Sequence, residues 1–195
     1  MSSHTAPLPT STNADSVLEQ WLADEASKRH IMETGAGPGV MSPAQFGGKT
    51  GLETMQAMLA GNVPYPSIGA TLDFMLVEVD DGRAVFQGRP SPAHLNPMGS
   101  LHGGWYAAIL DSALGCSVHS KMPVGRGYTT AELSVNLVKA VSLAKTPLVR
   151  AIGTVLHCGK QLATAEAKLI GPDGTLYAHA STTCLVFEMP SQSKS

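Results

Sequence analysis

The sequence predicts an α+β domain in which a curved antiparallel sheet wraps around one long apolar helix. Three observations predict it. The segment from Gly103 to Val118 is apolar or small on nearly every side, which marks a helix that must be covered all round. Two short β-rich runs precede it, and Asp80-Asp81-Gly82 between them is a hairpin signal. Four more β-rich runs follow it, the last two joined by the turn sequence Gly171-Pro172-Asp173-Gly174.

The chain has 195 residues and a hydrophobic content of 43%, enough for one cored domain with an N-terminal addition. A net charge of -2 and a pI near 6.4 give no electrostatic footprint for nucleic acid or a membrane surface. Cys116, Cys158 and Cys184 are odd in number and lack Cys-x-x-Cys spacing. They read as small buried hydrophobes, and no disulfide framework or metal site is expected. The first residues have neither a charged region nor an apolar region of a secretory signal. No stretch reaches the roughly 18 apolar residues of a membrane helix. A cytoplasmic location is the expectation.

Residues 1–13 are rich in Ser, Thr and Pro and read as disordered. Asn13 or Asp15 is positioned to cap a helix running to about Glu33, with Val17, Leu18, Trp21, Leu22 and Ala26 near helical spacing. The Gly- and Pro-rich residues 35–48 form an irregular connection. Thr50 and Glu53 make a capping box ahead of a short helix, which Gly61-Asn62 ends and Pro64 and Pro66 keep from resuming. Strands are expected over 71–79, 83–88, 128–138, 146–156, 161–170 and 175–187. The domain reading is an N-terminal extension over 1–49, a core domain over 50–188 and a flexible tail over 189–195.

Asp111 stands out inside the apolar helix. A lone carboxylate there costs free energy, so a partner or a function must justify it. The loop before it, His94-Leu95-Asn96-Pro97-Met98-Gly99-Ser100-Leu101-His102-Gly103-Gly104, is dense in polar and backbone-permissive residues. Together they read as an active site. Asn96 through Gly104, with Asp111 and Gly115 following and Thr129-Thr130-Ala131-Glu132 downstream, resembles the PaaI-type hotdog acyl-CoA thioesterases. The likeness spans about residues 50–187 and implies the hotdog fold.

It also implies roles. Asp111 would be the nucleophile or general base, its basicity raised by burial. The Gly103 N–H, at a helix N-terminus, would stabilise the oxyanion of a thioester carbonyl. Paired glycines at 103 and 104 also permit tight loop-to-helix packing. Asn96 is a candidate to orient water, Thr130 to position it, and His102 either to touch the carbonyl or to brace the loop. His94 reads as structural. Gly104, Met98 and Gly99 are candidate substrate contacts. Lys139 and Lys160, with Arg126, are candidate cations for coenzyme A phosphates. Many relatives carry Arg-Pro where this chain has Lys139-Ala140, so the exit of that strand is expected to differ. Met75, Met98, Met122, Leu95 and Trp105 are candidates for an acyl pocket or plain core.

Gly103 and Asp111 lie eight residues apart on one helix, so about 12 Å separates them at about 1.5 Å per residue. One carbonyl cannot reach both. If both act on it, they come from different subunits of a homodimer, or of a dimer of dimers. No metal or redox cofactor is implied; coenzyme A enters as part of the substrate. Two rivals stand beside hydrolysis: a non-catalytic acyl-CoA-binding regulator, and a hotdog enoyl-CoA hydratase or dehydratase. The second is disfavoured because the first histidine after Asp111 is His119. Residues 1–49 have three open roles: a cap on the pocket, an extension of the dimer interface, or neither.

Overall fold

The computed structural model describes residues 11–189. Its elements run α1 (Ser11–Thr34), α2 (Pro43–Phe46), α3 (Gly51–Leu59), α4 (Ser67–Leu72), β1 (Phe74–Asp80), β2 (Arg83–Gly88), a 3-10 turn (Pro92–His94), α5 (Gly103–Ser120), β3 (Arg126–Leu137), β4 (Val149–Cys158), β5 (Leu162–Ile170) and β6 (Leu176–Glu188). The six strands form one sheet in the order β1-β2-β4-β5-β6-β3, every pairing antiparallel. The sheet curves around α5, which is the hotdog arrangement.

Side-chain size explains the wrap. Ile109, Leu110, Ala113, Leu114 and Val118 of α5 are buried. The strand residues that meet the helix include Ala84, Ala151, Ala163, Ala165, Ala167 and Ala180, small enough to let it lie close. At Gly153 of β4 there is no room even for a methyl group. A Cβ there would stand 2.3 Å from the carbonyl oxygen of Ala113.

Local signals set several boundaries. Thr50 accepts from the Glu53 N–H at 3.2 Å while Glu53 accepts from the Thr50 N–H at 2.8 Å, the expected capping box. Gly82, at φ +78°, closes the β1–β2 hairpin. Other expectations need correction. The first helix already includes Ser11, so neither Asn13 nor Asp15 is its cap. The connection 35–48 contains α2, held by a capping box between Ser42 and Gln45. Residues 67–72 are helical where a strand was expected to begin at Thr71. The strand expected from Thr146 starts at Val149. Residues 1–10, most of the segment expected to be disordered, and 190–195, nearly all of the expected tail, lie outside the described residues.

The α1 helix does not lie over α5. It docks on the opposite, outer face of the sheet, beside Met75, Val77, Val85 and Ile152. Trp21 is its buried anchor, and Arg150 of β4 stacks over the indole at 4.6 Å. Arg150 also donates to Gln87, Glu78 and, at 2.7 Å, Asp24. Glu25, buried on the same helix face, takes bonds from Arg29 and Arg89. Leu22 and Ala26, expected on the inner stripe, are exposed. Met75 therefore faces α1, and Met122 is buried in the main core; neither lines the loop beside α5.

Candidate active site

The loop before α5 is braced by its own side chains. Asn96 Oδ1 accepts from the N–H groups of Met98 and Ser100, at 3.0 and 3.1 Å. Its amide nitrogen is the end left free for a ligand among the described residues. Met98, 88% exposed, and Gly99 form the loop tip. His102 is the N-cap of α5, its Nδ1 accepting from the Gly104 N–H at 2.9 Å. This bond fixes the neutral tautomer with the proton on Nε2. It also occupies the Gly104 donor, so Gly104 does not offer its N–H to a ligand. His94 accepts from the Ser91 N–H and stacks on Trp105, with ring centroids 5.9 Å apart. Trp105 in turn donates to the Leu72 carbonyl at 2.8 Å. An open cleft lies here, lined by Leu72, Leu95, Trp105, His94, His102 and Gly104. Leu72 had no sequence signal, because α4 carries it in from a separate element.

Asp111 lies two helical turns further along α5. It is half-buried, not enclosed by its own chain as the apolar sequence around it suggested. Thr130 of β3 donates to its Oδ1 at 3.1 Å. The register of β3 shifts between Thr130 and Glu132. Such a bulge turns a strand and re-aims its side chains. Thr129 points to the other face, paired with Leu185. Gly115 admits Tyr128 against the helix: a Cβ there would stand 2.7 Å from the tyrosine hydroxyl. Burial pushes Cys116 up to about 12, with the nearby Asp111 charge adding to it, so it remains a thiol.

From Thr130 to Leu137 the seam between α5 and β3 is open, whereas Tyr128 closes it beyond Asp111. β3 is an edge strand, bonded to β6 on one side only. Leu133 and Leu137, on its helix-facing side, are 36% and 55% exposed. Leu137 comes to within 3.4 Å of where a Gly103 Cβ would stand. The structure thus brings Asp111 and Thr130 together, and separately groups Gly103, Gly104, His102 and Asn96 at the start of α5. Lys139 and Lys160 do not converge. Lys139 follows β3 near Tyr177, whereas Lys160 sits in the β4–β5 turn, where its carbonyl accepts from Arg126. Among the described residues no three His, Cys, Asp or Glu side chains cluster as metal ligands, and no helix is long and apolar enough to cross a membrane.

Residues 98–178 match the thioesterase superfamily, a stretch holding the loop tip, α5, Asp111 and Thr130. This segment belongs to the thioesterase superfamily. Solved structures agree with the thioesterase domain in fold. A phenylacetic acid degradation-related protein from Ralstonia eutropha is 26% identical, with a TM-score of 0.60 over 67% of this chain and 97% of that one. A thioesterase family protein from Silicibacter pomeroyi is 25% identical, with a TM-score of 0.56 over 62% of this chain and 89% of that one. The E. coli PaaI protein from the phenylacetic acid degradation operon, at 17% identity and a TM-score of 0.60, covers 71% and 94%. A search of the curated proteins finds no match. The superfamily is one of thioester hydrolases, and the matched segment holds a half-buried acidic side chain, Asp111, and the N-terminus of α5.

Proposed function

We propose that this protein hydrolyses acyl-CoA thioesters to a carboxylate and free coenzyme A, at sites shared between two copies of the chain. The observation that carries the reading is the Thr130–Asp111 contact on an uncovered seam. A carboxylate that is held by a hydroxyl, yet open on one side, suits attack on a carbonyl or activation of water. The Gly103 N–H, first on α5 and free of the His102 cap, suits the oxygen that gains negative charge.

The two groups sit about 12 Å apart along the helix, so one carbonyl meets Asp111 of one protomer and Gly103 of the partner subunit. A two-fold dimer brings these ends together twice. The exposed β3 edge, with Leu133 and Leu137, is the surface such a dimer would cover. In the reaction, the C–S bond breaks, the thiolate leaves and takes a proton, and the oxygen of water ends in the carboxylate.

The test is a panel of aryl- and alkanoyl-CoA esters assayed for thiol release, with Asp111→Asn beside the native protein. Turnover lost with binding kept supports the reading. Tight binding without turnover in the native protein favours an acyl-CoA-binding regulator. Hydration of an enoyl-CoA favours the hydratase.

A further inference from the structure

We propose that a second cleft, at the C-terminal end of α5, holds the nucleotide end of coenzyme A, with Lys49 and Arg126 on its phosphates and Phe46 against its base. The proposal rests on the acyl-CoA reading above and gives the residues just before α3 a part in it.

The cleft encloses about 510 Å³ including its open mouth, and its walls include Met41, Phe46, Lys49, His119, Arg126 and Met189. Three come from the N-terminal extension. That wall is built, not loose. Ser42 and Gln45 cap α2, and Thr50 and Glu53 cap α3. The Gly51 N–H donates to the Met122 carbonyl at 2.8 Å, tying the segment to the end of α5. Lys49 Nζ donates to the Gln45 carbonyl at 2.7 Å.

The cleft brings two cations together on one wall. Arg29, Arg83, Arg89 and Arg150 each have a carboxylate partner within 3.1 Å. Lys49 forms no ion pair among the described residues. Glu53, the carboxylate that feels its charge, spends an oxygen on Thr50. Arg126 donates to the Lys160 carbonyl, and its one carboxylate neighbour among the described residues is the exposed Glu188, at 3.8 Å. Two cations beside an aromatic ring suit phosphates attached to a base.

Position fits as well. Between Asp111 and His119 the α5–β3 seam is filled by Cys116 and by Tyr128, whose ring lies 5.7 Å from that of His119. An arm joining the two ends therefore passes over the outside of this packing, by the exposed Thr129 and Thr130. Asp111 to His119 is eight residues, about 12 Å of helix rise. The pantetheine arm is comparable to four residues of extended chain, roughly 15 Å. A carbonyl at Asp111 therefore leaves its diphosphate near Lys49 and Arg126. The other cleft, beside Trp105 and Leu95, has no Lys or Arg in its walls and suits the acyl end.

The test compares one acyl group carried by coenzyme A and by pantetheine, which lacks the nucleotide. Lys49→Ala should lower kcat/KM for the CoA ester about tenfold, through KM, and change the pantetheine ester less than twofold. Lys49→Arg, which keeps the charge, should retain the native preference. Equal losses on both esters, or none on either, overturn the proposal, as does activity confined to an acyl group on an acidic carrier protein. If the native protein hydrolyses neither ester, the thioesterase reading fails by itself. Calorimetry with free coenzyme A then decides the cleft: about tenfold weaker binding by Lys49→Ala supports it, and unchanged binding overturns it.

Discussion

The Thr130 hydroxyl donates to Oδ1 of Asp111 across 3.1 Å, joining the exposed β3 edge to the middle of α5. A hydrogen bond to a charged group contributes about 1.5–3 kcal/mol. If it holds the carboxylate in its reacting position, Thr130→Val should lower kcat on acyl-CoA by at least about tenfold and leave KM nearly unchanged. Thr130→Ser should recover most of the loss. Equal activity in Thr130→Val and the native protein would assign the hydroxyl to packing alone.

The His102 cap is a stability element whatever else it does. Losing the bond from the Gly104 N–H should cost about 1 kcal/mol, seen as a lower urea midpoint for His102→Ala. His102→Asn, with a capping oxygen, should restore stability. Activity that stays low in that stable variant would mark the imidazole Nε2 as a substrate contact.

Docking of α1 should weaken in acid. Burial alone would raise the Glu25 carboxyl. The bonds from Arg89 and Arg29 outweigh it and hold Glu25 below the ordinary 4.5. For Asp24, bonds chiefly from Arg150 likewise outweigh burial and keep it below 3.8. A depressed folded value gives stability that is fully present above the unfolded value and is lost as pH falls through the folded one. Urea unfolding followed by Trp fluorescence should therefore lose stability below about pH 4.5. Glu25→Gln should flatten that dependence. An equally steep acid loss in the variant would place its origin elsewhere.

The open β3 edge predicts assembly. Leu137→Lys puts a charge where the proposed dimer buries an apolar side chain, and should shift sedimentation toward the monomer with activity falling in parallel. An active, strictly monomeric variant would contradict shared sites.

Much of this was legible because the signals were local. The Asp81-Gly82 bend, the Thr50–Glu53 box and the all-round apolar run of α5 each lie within a few residues. Asn96 stood out by its place in a glycine-rich loop. Thr130 had no local signal and was named only through the resemblance to PaaI-type thioesterases, its contact with Asp111 spanning 19 residues of sequence. What escaped depended on distant partners. The dock of α1 is set by Arg89 and Arg150, far along the chain from Glu25 and Asp24, so its inner face is Trp21 and Glu25 and excludes Leu22. Asp111 was expected to be buried because its sequence neighbours are apolar. Its exposure reflects the strand order, which leaves β3 at an edge. Lys49 carried no motif; the tie from Gly51 to Met122 is what sets it in one cleft with Arg126.

The most direct test of shared sites is complementation between two inactive variants. Gly103→Pro deletes the proposed donor, and its Cβ would meet only the flexible end of Leu137, at 3.4 Å. Proline is tolerated at the first helical position, and His102, at φ -63° and ψ 134°, already has the backbone that a following proline requires. Asp111→Asn removes the carboxylate. Each alone should be inactive. Refolded together in equal amounts, half the dimers are mixed and each holds one intact site, so about a quarter of native activity should return. No recovery from a mixture shown to contain mixed dimers would contradict a site built from two subunits.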